Sequence, residues 1–462
     1  MSFKHRTSAV ALAVAVGWAM PAHAQGADSA AIQQELAQMR AQMARMADRI
    51  DTLEAQLSVA REQAQAAQEA AGTAMAQAKA VEANGSPVEI AWKGAPEFEG
   101  KGGWSFKPRG RLQFDAGVVD APGSISDKGL GFANEVRRAR LGFEGDIPGG
   151  FGYKFEADFS TSDVEIADAL LSYSDGALGV TVGQHNNFQS LEELTSSRFI
   201  SFMERAAFTD AFGFERRIGI SGSYAKGPVL VQAGAFTDNM DDLNSDENNS
   251  YGFDGRVVFM PKMGDTQLHA GGSIHYRDLK DAASSVRYRQ RPFLHTTDTR
   301  FVDTGSIGAS SETAYGLELA AINGPLHFAG EGYWQKVSRP GLANPTFFGG
   351  YAEVGYFLTK GDSRGYKKGT FDRIKPKNGV DKGGIGAVQV NVRYDYLDLV
   401  DAGIAGGKQN GYAVSLIWTP TAYTRLMANY GRMEYDLASI ATGTGSRNYG
   451  VDTFGMRAQI DF

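Results

Sequence analysis

The sequence has no cysteine, which removes disulfides, thiolate nucleophiles and cysteine-based metal centres together. That lack suits a chain crossing an oxidising compartment. Past residue 24 no stretch reaches the ~18–20 continuous apolar residues of a spanning helix, so any membrane embedding is by strands. Basic residues do not dominate either. The 46 Lys and Arg against 53 Asp and Glu give −7, or −9 once Lys4 and Arg6 leave with residues 1–24. That balance disfavours nucleic acid and says little about a pore, where placement outweighs the sum. Catalytic signatures are scarce. His269 and His275 share a strand face six residues apart, too far for a two-ligand pair. Gly219-Ile220-Ser221-Gly222-Ser223 lacks the second glycine of a nucleophile elbow, no phosphate-binding P-loop occurs, and 238–249 lacks calcium-loop spacing. No catalytic residue, metal site or cofactor is expected.

Residues 1–24 read as an export signal: Lys4 and Arg6, then apolar Val10 to Met20, then Ala22-His23-Ala24 before Gln25. Residues 25–83 form the next unit. Ile32, Leu36, Met39, Met43, Met46, Ile50, Leu53 and Leu57 recur at steps of four and three, continued by alanines to Val81. Seven heptads in phase predict a self-associating left-handed coiled coil, about 75 Å long if fully helical. A single helix or Ala/Gln linker is the alternative. Asn84-Gly85-Ser86-Pro87 breaks the pattern, and 84–103 reads as a linker.

From 104 to 462 the pattern changes to period two. In Arg138–Phe159, Ala139, Leu141, Phe143, Gly145 and Ile147 share one face, and Arg138, Arg140, Glu144 and Asp146 the other. After Pro148-Gly149-Gly150 the apolar face resumes with Phe151, Tyr153, Phe155, Ala157 and Phe159. That is a β-hairpin, greasy on one side and charged on the other. Sixteen such strands can be marked, joined by connections that mostly alternate long and short. Long loops at one end, short turns at the other and a terminal amphipathic strand closing on Phe462 predict an all-β transmembrane barrel of sixteen antiparallel strands. Tyr153, Tyr173, Tyr224, Tyr276, Trp334, Tyr412, Trp418 and Tyr430 supply interfacial aromatics. Such a barrel sits in the outer membrane of a Gram-negative cell among its lipids, with the coil in the periplasm. One connection, 360–382, is long where a short turn belongs.

Five motifs then carry a resemblance. Phe188-Gln189-Ser190-Leu191-Glu192-Glu193-Leu194-Thr195-Ser196-Ser197 with Phe202-Met203-Glu204-Arg205, Arg137 to Gly142, and Tyr288-Arg289-Gln290-Arg291-Pro292 resemble the phosphate-selective porin O and P family; so do Arg216-Arg217-Ile218-Gly219 and Tyr366 to Phe371. The resemblance spans roughly 107–462. It implies a homotrimer of sixteen-stranded barrels with a basic pathway for phosphate or other small anions, and it accommodates the long 360–382 extension. His185-Asn186-Asn187-Phe188 stands where the family often has Lys-x-Pro-Phe, so a lysine near the constriction is missing.

Anion selection needs fixed positive charge where the passage is narrow and little water damps it. Three groups fit: Lys107, Arg109 and Arg111, about 7 Å apart on one strand face; Arg137, Arg138 and Arg140; and Arg287, Arg289 and Arg291 with Arg300, read as an entrance ladder. Loop 186–216 is the expected constriction, with a capping box at Ser190-Leu191-Glu192-Glu193 and with Arg198, Arg205, Arg216 and Arg217. Glu192, Glu193 and Glu204 are positioned to pair with them. The basic turn with Lys367, Lys368, Arg373 and Lys375 reads equally as an anion collector at the periplasmic exit or as a solvated turn. The expected function is passive anion uptake. The alternatives are a less selective general porin, or a tether reaching the cell wall through the coil.

Overall fold

The computed structural model describes residues 61–76 and 88–462, apart from 93, 128, 241–249 and 281–284, together with scattered positions between 40 and 58. The signal segment and most of the heptad register lie outside the described residues. Residues 61–76 are helical and exposed throughout. They belong to a unit ending at Ser86, separate from the unit Pro87–Phe462.

The second unit is a closed barrel. Its strands are β1 (Trp104–Asp120), β2 (Gly131–Ile147), β3 (Phe151–Asp158), β4 (Glu165–Asp175), β5 (Leu178–Asn186) and β6 (Arg216–Lys226). Next come β7 (Val229–Phe236), β8 (Tyr251–Phe259), β9 (Thr266–Asp278), β10 (Ser311–Asn323) and β11 (Leu326–Ser338). The last are β12 (Thr346–Phe357), β13 (Ala387–Asp401), β14 (Ile404–Thr421), β15 (Thr424–Asp436) and β16 (Tyr449–Asp461). Each pairs antiparallel with its neighbours, and β16 pairs back onto β1 from Asp452↔Asp120 to Asp461↔Arg111. The seam is finished by reciprocal backbone bonds between Gly110 and Phe462 at 3.1 and 3.0 Å. A Cβ on Gly110 would sit 2.2 Å from the Phe462 ring, so only glycine lets that terminal ring lie there.

Alternation sets what faces where. In β13, Val392 and Tyr394 are exposed, whereas Gln389, Asn391, Arg393 and Asp395 are buried. The same holds for exposed Phe454, Met456 and Ile460 against buried Arg457, Gln459 and Asp461 in β16. Apolar side chains therefore coat the outside and polar ones face the lumen, the distribution of a barrel in lipid. One end carries the long loops, among them 187–215, 279–310 and 437–448, and the other the tight turns such as Gly227-Pro228 and Gly324-Pro325. Residues 89–100, expected as linker, instead form a hairpin of Glu89–Trp92 and Pro96–Gly100 that continues the β1 edge.

The lumen is not an open tube. Loop 187–215 folds inward with helices α1 (Leu191–Leu194) and α2 (Ala207–Ala211). Its Leu191, Met203, Phe208 and Phe212 join an apolar core with wall residues Tyr333, Tyr351, Leu397 and Met427. Phe208 stacks on Tyr333 at 5.4 Å and on Tyr351 at 6.3 Å. The segment 358–386 enters from the turn end. Its small hairpin, Gly365–Lys367 with Thr370–Asp372, reaches the inner loop, where the Phe371 N–H donates to Thr195 Oγ1 at 3.2 Å.

Candidate functional site

The lumen holds a cavity of about 720 Å³ against β1 to β6. Nine cations border it: Arg111, Arg137, Arg138, Arg140, Lys154, Arg198, Arg205, Arg216 and Arg291. Six carboxylates oppose them: Glu156, Asp168, Glu193, Glu204, Asp210 and Glu215. A chain that is acidic overall thus presents a net positive interior.

A defect in the β1–β2 ladder makes the densest part. Gln113 pairs with Arg138 but Phe114 pairs with Val136, leaving Arg137 as an extra residue. Strict alternation would send Arg137 out to lipid. The bulge turns it inward beside Arg138 and Arg140, where it makes a two-pronged bond to Glu204 at 3.0 and 3.1 Å. Arg140 bonds Asp158 at 2.7 Å and Glu156 at 3.1 Å, and Arg111 bonds Ser197 Oγ at 2.7 Å with Glu156 at 3.5 Å. Arg216 and Lys154 share Asp168 at 3.0 and 2.6 Å. Arg138 differs. It donates to the Gln113 amide at 3.0 Å and, among the described residues, has no ion pair.

The loop acids behave differently from one another. Burial lifts the Glu193 carboxyl above its usual value, and Arg205 at 3.3 Å does not fully offset this. Burial also works against ionised Glu204, but Arg137 and Arg457 outweigh it and hold that carboxyl well below its usual value. On the loop side of the cavity, Arg205 is mostly structural. It donates to the carbonyls of Glu192, Glu193 and Thr195 at 3.0–3.2 Å, holding the end of α1.

The wall grips this loop along its length. Glu331 accepts from the Leu191 and Glu192 N–H groups at 2.8 Å each, and Asp395 accepts from the Ala207 N–H at 3.0 Å. Both carboxylates sit at helix starts, where exposed N–H groups favour them. The next carbonyls are taken one by one: Arg198 and Ile200 by Arg425, Phe199 by Arg364, Ser201 by Ser415, Met203 by Arg457. Arg393 lies between Glu192 and Glu353 and between the rings of Phe202 and Tyr351.

Of the expected pathway residues, eight border the cavity: Arg111, Arg137, Arg138, Arg140, Arg198, Arg205, Arg216 and Arg291. The others stand elsewhere. Lys107 faces Glu97 at 4.0 Å and Arg109 pairs with Glu144. Arg217 is buried in β6 without an ion pair among the described residues. Arg287 is bound at the surface to Asp303, and Arg289 is exposed. Arg300 lies 4.0 Å from Asp298, with burial and then Arg291 lowering its titration to about 10. Of the four arginines read as an entrance ladder, Arg291 borders the cavity, while Asp303 holds Arg287 at the surface and Arg289–Gln290 pairs with Val302–Asp303 within the loop.

The basic turn is tied to the lumen through its apolar and backbone groups: Tyr366 bonds His269 at 2.7 Å, Arg256 donates to the Gly369 carbonyl at 2.9 Å, and Phe371 and Ile374 are buried. Gly369 takes φ +78° and its added Cβ would meet Leu230 at 2.9 Å, a close approach that suits glycine. Arg373 pairs with Asp461, while Lys367, Lys368 and Lys375 are exposed. Unforeseen were Lys154 in the cavity and the anchors Arg256, Arg393, Arg425 and Arg457. Each sits at an inward strand position, the one signal that marked it.

Residues 106–462 match the family described as phosphate-selective porin O and P. An uncharacterized protein of Caulobacter vibrioides (strain ATCC 19089 / CIP 103742 / CB 15) is 46% identical over 476 residues, covering 99% of this chain and 96% of its own. Among solved structures, the anion-selective porin from Comamonas acidovorans is 14% identical with a TM-score of 0.49, covering 78% of this chain and 100% of that one. A loop L8 deletion mutant of OmpT, an outer membrane protein of Vibrio cholerae, is 12% identical with the same TM-score and the same coverage.

Proposed function

Because the chain belongs to the phosphate-selective porin O and P family it is an outer-membrane porin, a channel rather than a catalyst, and from that premise we propose passive, gradient-driven uptake of phosphate or related small anions by a homotrimer. The observation that carries this reading is the cavity wall, nine cations against six carboxylates, with the Arg138 guanidinium free of any ion pair among the described residues. In a confined passage such charge is damped far less than in bulk water. A guanidinium stays protonated and offers parallel donors that match two oxygens of one oxyanion. Several sites of moderate strength in sequence let an ion enter and still leave. Arg111, Arg137, Arg138 and Arg140 form the proposed central steps, with Arg291 on the loop side.

A less selective general anion porin is the second reading. It is favoured by the pairing of nearly every other cavity arginine with a carboxylate, and by His185 in place of the family's lysine. The heptads from Ile32 to Val81 support self-association in the periplasm, and a coil of that length suits contact with the cell wall.

Reversal potential across a planar bilayer under a KCl gradient tests the proposal. Anion preference is expected, and cation preference would end it. Block of the chloride current by millimolar phosphate then separates the two readings: the general porin predicts none.

A further inference from the structure

The charges around the cavity are sorted by element. Strands β1 to β6 contribute six cations and two carboxylates, whereas loop 187–215 contributes two cations and four carboxylates, Glu193, Glu204, Asp210 and Glu215. The cavity is therefore positive on its barrel wall and negative on the inner loop facing that wall. A bare phosphate gains only on the first side. Carboxylates accept hydrogen bonds and cannot donate them, so they repel its oxygens. Two of the loop acids keep accepting capacity. Asp210 accepts from the Arg291 N–H at 2.7 Å and lies 3.7 Å from its guanidinium, yet its side chain stays 39% exposed, and Glu215 has no ion pair among the described residues. The volume, about 720 Å³, lies within the ~300–1,000 Å³ of sites that enclose drug-sized solutes, far beyond the needs of one phosphate ion.

Resting on the anion-porin reading above, we propose that the preferred solutes are phosphate monoesters of polyols, with the phosphate on the Arg138 side and the hydroxyls donating toward Asp210 and Glu215. The doubly charged head satisfies the wall while the neutral, donor-rich tail satisfies the loop without adding repulsion. Selectivity then follows from matching both faces rather than from charge alone.

The test compares three blockers of the chloride current through the full-length protein: glycerol phosphate, ethyl phosphate, which has no donor on its tail, and inorganic phosphate. Half-block by glycerol phosphate is expected at a concentration roughly threefold or more below that of ethyl phosphate, the size of one net hydrogen bond. The double variant D210A/E215A, which removes both acceptors, should bring the two esters together. Equal half-block of the wild-type pore by both esters, with anion-directed reversal retained, overturns this inference and leaves the porin reading intact. Loss of anion preference altogether overturns both.

Discussion

The two sides of the lumen use the same residue to opposite ends. Against β1 to β6, guanidinium groups line the cavity, although Arg138 and Arg111 are themselves largely buried: Arg138 has one amide partner, Arg137 and Arg216 one carboxylate each, and Arg140 two. Against β11 to β16, Arg393 and Arg457 are almost wholly removed from solvent, and with Arg425 they hold the inner loop by its carbonyls or carboxylates. On the wet side an arginine is available to a passing solute. On the dry side its donors are already spent on protein oxygens, and it acts as a rivet. Position relative to the docked loop, not residue type, decides which.

The contrast can be broken at its dry end first. Arg393→Ala leaves Glu192 and Glu353 buried without their shared cation, which should cost about 3–5 kcal/mol. Loss of heat resistance of the detergent-solubilised barrel, with larger conductance as the loop loosens, is the expected readout; unchanged values would mean that the rivets hold nothing. Arg425→Met keeps the bulk but removes the donors to the Arg198 and Ile200 carbonyls. About 1.5–3 kcal/mol should go with them, measured by the same thermal assay. On the wet side the expectation reverses. Arg138→Ala should change stability by no more than about 1 kcal/mol, its one side-chain partner being Gln113, yet lower the anion-to-cation permeability ratio clearly. A variant that loses stability and keeps its selectivity would erase the distinction.

The smallest effect sharpens the contrast through pH. With its titration raised by burial, Glu193 takes up a proton at a higher pH than an ordinary carboxyl, whereas Glu204 stays ionised. Acidification therefore removes negative charge from the cavity, so anion preference should rise modestly between neutral and mildly acidic pH. Glu193→Gln should flatten that rise, and a fall on acidification would contradict it.

The barrel was legible because a lipid-facing strand has to alternate, and sixteen runs did so, some of them marking only part of their strands. The short inner helix was legible through the capping box, for Ser190 does accept from the Glu193 N–H at 3.2 Å. What stayed hidden is tertiary. A lumen-facing arginine looks the same in sequence whether water or a docked loop lies in front of it, so Arg393, Arg425 and Arg457 could not be told from pathway residues. Arg137 borders the cavity as expected, but the single-residue bulge that turns it inward left no mark in the period-two pattern. The extension 360–382 left two readings open because its charges outnumber its apolar residues, whereas Tyr366, Phe371 and Ile374 are the ones that hold it in the lumen.

The seam between β16 and β1 has one further consequence, for biogenesis. Arg457 on the last strand bonds Asp115 on the first, 342 positions away, and the same side chain holds the Met203 carbonyl. Contacts that distant in sequence form late. Since zipping the rim also fastens the interior, the inward segments have to be seated before the cylinder shuts, and a polypeptide that sealed early would trap an unfilled bore.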